Sequence, residues 1–126
     1  MIELFHMEKQ LIFLDTETTG NLPEDKLCQL CYKIGDKIVD QLYNPGIPIK
    51  IESMAVHHIT EKMIAGKPFF KDSPEYNELK ELFSGDCVFI AHNAKFDEEM
   101  MEKEGLKTPK VIDTYRVARH LEQKKK

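Results

Sequence analysis

The sequence predicts an α/β domain, a mixed sheet flanked by helices. Three observations predict it. Residues 11–14 and 87–91 are apolar throughout, as strands covered on both faces are. Residues 27–45 read as two strands joined at Gly35 and Asp36, a connection so short that they must pair antiparallel. After residue 72 the pattern runs helix, strand, helix, strand, helix, which favours central, parallel strands at 11–14 and 87–91.

The elements follow in order. Residues 1–9 are a weak opening segment, and residues 10–15 are the first strand. Gly20, Asn21, Pro23 and Asp25 give residues 20–26 the chemistry of a loop. In "KLCQLCYKIG", Leu27, Gln29, Cys31 and Lys33 fall on one side, and Cys28, Leu30, Tyr32 and Ile34 on the other. A third strand ends at Asn44, Pro45 and Gly46. Ser53 is expected to cap a short helix through Ala55 and Val56, and Thr60 a further turn over residues 61–65. In "DSPEYNELKELFSG", Ser73 sits at the cap, Pro74 at the first helical position and Gly85 just past the end. Asn93 is expected to cap a helix from Ala94 to about Glu104, closed by Gly105. "KVID" is a last strand, with a helix over residues 114–121. There is no repeat and no internal linker, so residues 1–126 are read as one domain.

Composition is ordinary for a soluble globular protein, at 41% hydrophobic and 32% charged residues. The longest apolar run, residues 87–91, is far short of a membrane span, so no membrane partner is expected. No signal-peptide pattern opens the sequence, which makes the cytoplasm the default location. Three cysteines, an odd count, argue against a disulfide framework. A net charge of −4 does not suggest coating of nucleic acid by bulk electrostatics, but leaves room for handling it through metal ions. The last eleven residues differ, with five basic residues against Glu122, and "EQKKK" reads as a solvated tail.

In "LIFLDTETTG" the first strand leads into Asp15 and Glu17, which at strand spacing point the same way. An acidic surface turn is the plain alternative. Like charges held close destabilise each other unless something positive lies between them. Carboxylate oxygens suit Mg²⁺ or Mn²⁺. In "VFIAHNAKFDEEMM" a buried strand delivers His92 and Asn93, and Asp97 falls on the first turn of the next helix. Acids near a helix N-terminus are favourable, which suffices for Glu98 and Glu99. Asp97 differs if the two strands are neighbours, because it then projects toward Asp15 and Glu17.

Other signals read more plainly. Cys28 and Cys31 have zinc or redox spacing, but on a strand they face opposite ways, so they are assigned to packing. His57 and His58 diverge on a helix and are assigned to pocket lining or surface. Asp113 is expected to cap the helix beginning at Thr114, with substitution for a missing carboxylate as the alternative.

Together, "IFLDTETTG", "AVHHIT", "IAHNAKFD" and "VIDTYRVAR" resemble the DEDD family of 3′–5′ exonucleases, in the branch like the proofreading epsilon subunit. The resemblance covers about residues 10–121. It implies a ribonuclease-H-like fold, with strands one to three antiparallel and strands four and five parallel. It also implies removal of nucleotides from 3′ ends of single-stranded DNA or RNA, and a DNA polymerase as a partner. By position, Asp15 would bridge two divalent ions, Mg²⁺ or Mn²⁺. Glu17 would hold one ion and orient the attacking water, and Asp97 would hold the other. Backbone around Thr18 would meet the terminal nucleotide, Val56 and His57 its base, and Asn93 and Phe96 would shape the same pocket. His58 stands where the family often has glycine.

The family pattern also has a histidine and a fourth carboxylate, spaced H-x-x-x-x-D, on a later helix. Within this sequence His120 is the only late histidine, and Lys125 stands five positions on. Three readings stay open, the first preferred: a truncated exonuclease, a natural inactive short form, or completion by another chain. Helices after residue 121 are expected to be missing, leaving one sheet face uncovered and prone to self-association. The alternative function is a catalytically inactive nuclease-fold module for nucleic-acid binding or assembly.

Overall fold

The computed structural model describes residues 9–124; the opening segment up to residue 8 and the last two lysines lie outside the described residues. Strands β1 (Gln10–Thr18), β2 (Leu27–Ile34), β3 (Lys37–Leu42), β4 (Cys87–Ala91) and β5 (Lys110–Asp113) form one sheet, in the order β3-β2-β1-β4-β5. β1, β2 and β3 pair antiparallel, while β4 runs parallel to β1 and β5 to β4. The expected mixed sheet is therefore present. The helices are α1 (Ile51–His57), α2 (Glu61–Ile64), α3 (Pro74–Ser84), α4 (Ala94–Lys103) and α5 (Thr114–Lys124).

β1 runs past the expected end at residue 15, so Asp15 and Glu17 lie within it. Its two neighbours stop at different points. Pairing with β4 ends at Phe13 and Ile90, whereas pairing with β2 continues to Thr18. The last third of β1 thus has a free side where β4 turns away into α4.

β2 carries a bulge. Glu17 faces Gln29 but Thr18 faces Leu27, which leaves Cys28 as the extra residue. The simple alternation expected at Leu27 and Cys28 is broken there. Leu27 joins Leu30 and Tyr32 in the main core, and Cys28 packs with Ile49, Ile59 and Ile64 in a second cluster.

The main core lies on one face of the sheet. Ile12, Leu14 and Phe89 pack there with Leu79 and Phe83 of α3 and Met101 of α4. The expectation that residues 11–14 are covered on both faces fails: Leu11 and Phe13 are 46% and 48% exposed. The strand register puts Ile38, Lys33, Phe13, Ile90 and Ile112 in one row across all five strands on this open face. Strand apolarity reports affinity for a cover, whether or not the cover is there.

Two capping expectations change. Ser53 lies inside α1, and Lys50 is its N-cap, its carbonyl accepting from the Ser53 and Met54 N–H groups. Asn93 is the N-cap residue of α4 but makes no side-chain cap bond. It sits at φ 60°, in the left-handed region that asparagine tolerates. The other caps hold. Ser73 Oγ accepts from Tyr76 N–H at 3.2 Å, and Thr60 Oγ1 from Met63 N–H at 3.3 Å. Asp113 Oδ1 accepts from the N–H groups of both Tyr115 and Asn93, each at 2.9 Å, capping α5 and tying it to the start of α4. α5 extends to Lys124, three residues beyond the expected end.

Candidate active site

β1 places Asp15, exposed, and Glu17, half-buried, on one side of the strand, with Thr16 buried between them. α4 brings Asp97 to the free side of β1. Asp97 is 3% exposed, and its Oδ1 accepts from the Thr16 N–H at 3.1 Å and the Thr16 hydroxyl at 2.6 Å. No hydrogen bond among the described residues engages Oδ2.

Asp97 lies within reach of the charges of Asp15 and Glu17. Burial, then the charges of Asp15 and Glu17, push the Asp97 carboxyl up to about 6 against the pull of the Thr16 hydrogen bonds. Glu17 is raised by burial first and then by Asp15. Asp97 and Glu17 are therefore both shifted toward their neutral forms.

Among the described residues no three His, Cys, Asp or Glu side chains are gathered closely enough to hold a metal ion by themselves. The donors still fit a hard divalent ion in kind, because they are carboxylate oxygens under mutual repulsion. Mg²⁺ ordinarily takes one or two protein carboxylates and completes its octahedron with water and substrate phosphate. Carboxylates offered one or two at a time suit that habit.

Beside Glu17 lies a hollow of about 610 Å³, lined among others by Thr18, Lys50, Val56, His57 and Phe96. Of the expected nucleotide-binding residues, Thr18, Val56, His57 and Phe96 meet here. Asn93 is not part of this lining and faces Asp113 instead. His57 has both ring nitrogens engaged: Ile59 N–H donates to Nδ1 at 3.0 Å, so Nε2 of the neutral ring carries the proton and donates to the Thr18 carbonyl at 2.9 Å. His57 is thus a brace of the hollow rather than a metal ligand, in line with its expected place. His58 is the C-cap of α1 at φ 62° and ψ 19°, a left-handed position where glycine is the easier residue. A non-glycine residue there carries a backbone cost.

Sequence reasoning missed Asp25 and Lys50. Asp25 looked like turn chemistry, and Lys50 carried no signal of its own. Their link spans 25 positions, and no local pattern reveals it.

A family model described as Exonuclease (RNase_T) matches residues 12–125. The chain belongs to this exonuclease family. Family members are generally dependent on divalent metal. Among curated relatives of this exonuclease-family chain, a DNA polymerase III subunit epsilon-like protein of Rhodobacter capsulatus is 35% identical over 111 residues, covering 81% of the chain and 15% of that protein. Exodeoxyribonuclease 10 of Escherichia coli K12 is 36% identical over 95 residues, covering 72% of the chain and 40% of that enzyme. The chain thus spans well under two thirds of either relative. Exonuclease X, solved in complex with 5′-overhanging duplex DNA, aligns at a TM-score of 0.66 with 30% identity, over 88% of this chain and 63% of that one. Exonuclease I from Methylocaldum szegediense aligns at 0.73 with 18% identity, over 89% of this chain and 29% of that one. The mixed five-stranded sheet is that of the ribonuclease-H-like exonucleases, as the sequence resemblance implied.

Proposed function

We propose that this domain removes nucleotides from 3′ ends of single-stranded DNA or RNA by metal-assisted hydrolysis. Asp15, Glu17 and Asp97 hold two divalent ions, Mg²⁺ or Mn²⁺, and the terminal nucleotide enters between Thr18, Val56, His57 and Phe96, with Asn93 at the margin. The observation that carries this reading is that Asp97 is held on Thr16, the residue between Asp15 and Glu17, at the free side of β1, beside a hollow of about 610 Å³ that Thr16 and Glu17 line. Bound ions would supply an activated water and charge neutralisation at the leaving oxygen. The chain's own part is to aim the carboxylates, seat the base against α1, and hold the chain end with the Thr18 backbone.

DNA is supported as a substrate by the DNA in the Exonuclease X complex. A DNA polymerase partner is supported by relatives named as polymerase III subunits. A cytoplasmic setting is supported by the three free cysteines; among the described residues no helix is long and apolar enough to cross a membrane. Turnover by these 126 residues is expected to be slow, because the H-x-x-x-x-D pattern is not within them and His57 is committed to Thr18 and Ile59. General-base loss costs about 10²–10⁴ in rate.

The test uses a 3′-labelled single-stranded oligonucleotide with Mn²⁺. Slow release of 5′-mononucleotides, abolished by EDTA and by Asp15→Ala, is expected. Degradation that survives Asp15→Ala sinks both site and mechanism. Metal-independent binding without cleavage supports the inactive-module alternative.

A further inference from the structure

α1 carries Val56 and His57 to the nucleotide hollow, yet it has no fully buried side chain to anchor it. Ile51 and Val56 are each 77% exposed. Met54 packs, partly buried, against the cluster of Cys28, Ile49, Ile59 and Ile64, and polar links fix the two ends. At the far end His57 donates to the Thr18 carbonyl. At the near end the Lys50 N–H donates to the Thr19 carbonyl at 3.0 Å, and Lys50 Nζ reaches Asp25 Oδ2 at 2.6 Å.

Asp25 is 1% exposed and saturated. Its Oδ1 accepts from the Thr19 hydroxyl at 2.7 Å, and its Oδ2 accepts from Leu22 N–H at 2.9 Å as well as from Lys50. Burial alone would raise this carboxyl, but the bonds from Lys50, Thr19 and Leu22 hold it at about 2, so it is ionised under ordinary conditions. The loop it organises is also held by α4: Lys103 Nζ donates to the Asp25 carbonyl at 2.9 Å and the Leu22 carbonyl at 3.2 Å. Gly20 leaves room for the pair. A Cβ there would run into the Asp25 carboxylate and come within 2.8 Å of Lys50 Cδ.

We propose that Asp25 and Lys50 are a positioning pair that sets the width of the nucleotide hollow, by clamping the start of α1 to the Thr18–Thr19–Gly20 segment of β1 and its loop. The inference rests on the reading of that hollow as the seat of the terminal nucleotide. The pair bonds none of the metal carboxylates, and although Lys50 is part of the hollow's lining its Nζ is tied to Asp25. It acts through Thr18, Val56 and His57, so its loss widens the seat while the carboxylates keep their places.

The experiment separates metal from nucleotide. Mn²⁺ binding to the full chain is followed by the loss of the free-ion electron paramagnetic signal, and binding of a deoxynucleoside 5′-monophosphate is titrated with Mn²⁺ saturating. Lys50→Met leaves a buried carboxylate unpaired and can unfold the loop. Asp25→Asn/Lys50→Met removes both charges together and keeps the test open if the single variant fails to fold. The double variant is expected to bind Mn²⁺ as the parent does and the mononucleotide about tenfold more weakly, a difference of about 1.4 kcal/mol. Lys50→Arg is expected to restore the mononucleotide affinity. Unchanged mononucleotide affinity in the double variant overturns the inference. So does parallel loss of metal and nucleotide binding without rescue by Lys50→Arg, which marks a merely structural role. If the parent binds Mn²⁺ but no mononucleotide, or binds Mn²⁺ regardless of Asp15→Ala, the underlying reading of the site fails instead and takes the inference with it.

Discussion

Asp97 and Thr16 are joined twice, with both the hydroxyl and the backbone N–H of Thr16 converging on one carboxylate oxygen. The link crosses 81 positions of sequence and locks α4 against the free side of β1. It fixes which oxygen of Asp97 is bound by the protein and which is not. Thr16→Val keeps the shape and removes the hydroxyl. A lost hydrogen bond to a buried charge costs about 2 kcal/mol. The variant is expected to unfold earlier in urea by about that much and to bind Mn²⁺ more weakly. Unaltered Mn²⁺ affinity in a destabilised variant shows that Asp97 is held for packing alone.

The Asp25 carboxyl gives the fold an acid-sensitive element. Its folded value of about 2 lies below its ordinary 3.8. As pH falls, the unfolded chain therefore takes up this proton first, and the group's contribution to stability, full above about pH 4, is lost as pH falls toward 2. Urea midpoints measured across this window are expected to fall more steeply in the parent than in Asp25→Asn. Equal slopes remove Asp25 from the acid response.

Much of this arrangement was legible in the sequence, and the parts that were not share a cause. Ser73, Pro74 and Gly85 punctuate α3 as expected because caps act within a few residues. The approach of Asp97 to the Asp15–Glu17 stretch could be read because one apolar strand carried two acids and the other led into a helix with an acid on its first turn. The open face at Leu11 and Phe13 was not readable from strand apolarity, since that pattern is silent about the cover. The bulge at Cys28 depends on how β2 meets β1, and so on a partner strand. The shift of the α1 cap from Ser53 to Lys50 depends on Thr19, far back in the chain. What sequence periodicity conveys is local, and these features are set by contacts between distant segments.

His58 provides a test of local strain. A non-glycine residue in the left-handed region costs about 1–2 kcal/mol. His58 makes its cap through its backbone N–H, which donates to the Met54 carbonyl at 2.8 Å and does not need the imidazole. His58→Gly is thus expected to raise stability by about 1 kcal/mol in urea or heat unfolding, with Mn²⁺ binding unaltered. A loss of stability assigns the His58 side chain a contact that offsets its backbone cost.

The row of Ile38, Phe13, Ile90 and Ile112 crosses the open face with only Lys33 interrupting it, and Phe13 stands at its centre. Contiguous exposed apolar surface of this kind marks an interaction site. A two-fold axis through the centre would set Phe13 against its own copy and Ile38 toward Ile112 of the second copy, the self-complementary geometry that homodimers use. Phe13 is exposed already, so replacing it by a charged residue removes the driving force for association while leaving the core of Ile12 and Leu14 intact. Sedimentation equilibrium of the chain is expected to show concentration-dependent dimers, and Phe13→Asp is expected to sediment as a monomer with unaltered thermal stability. A parent that stays monomeric at every concentration assigns the face to an occupant other than a second copy.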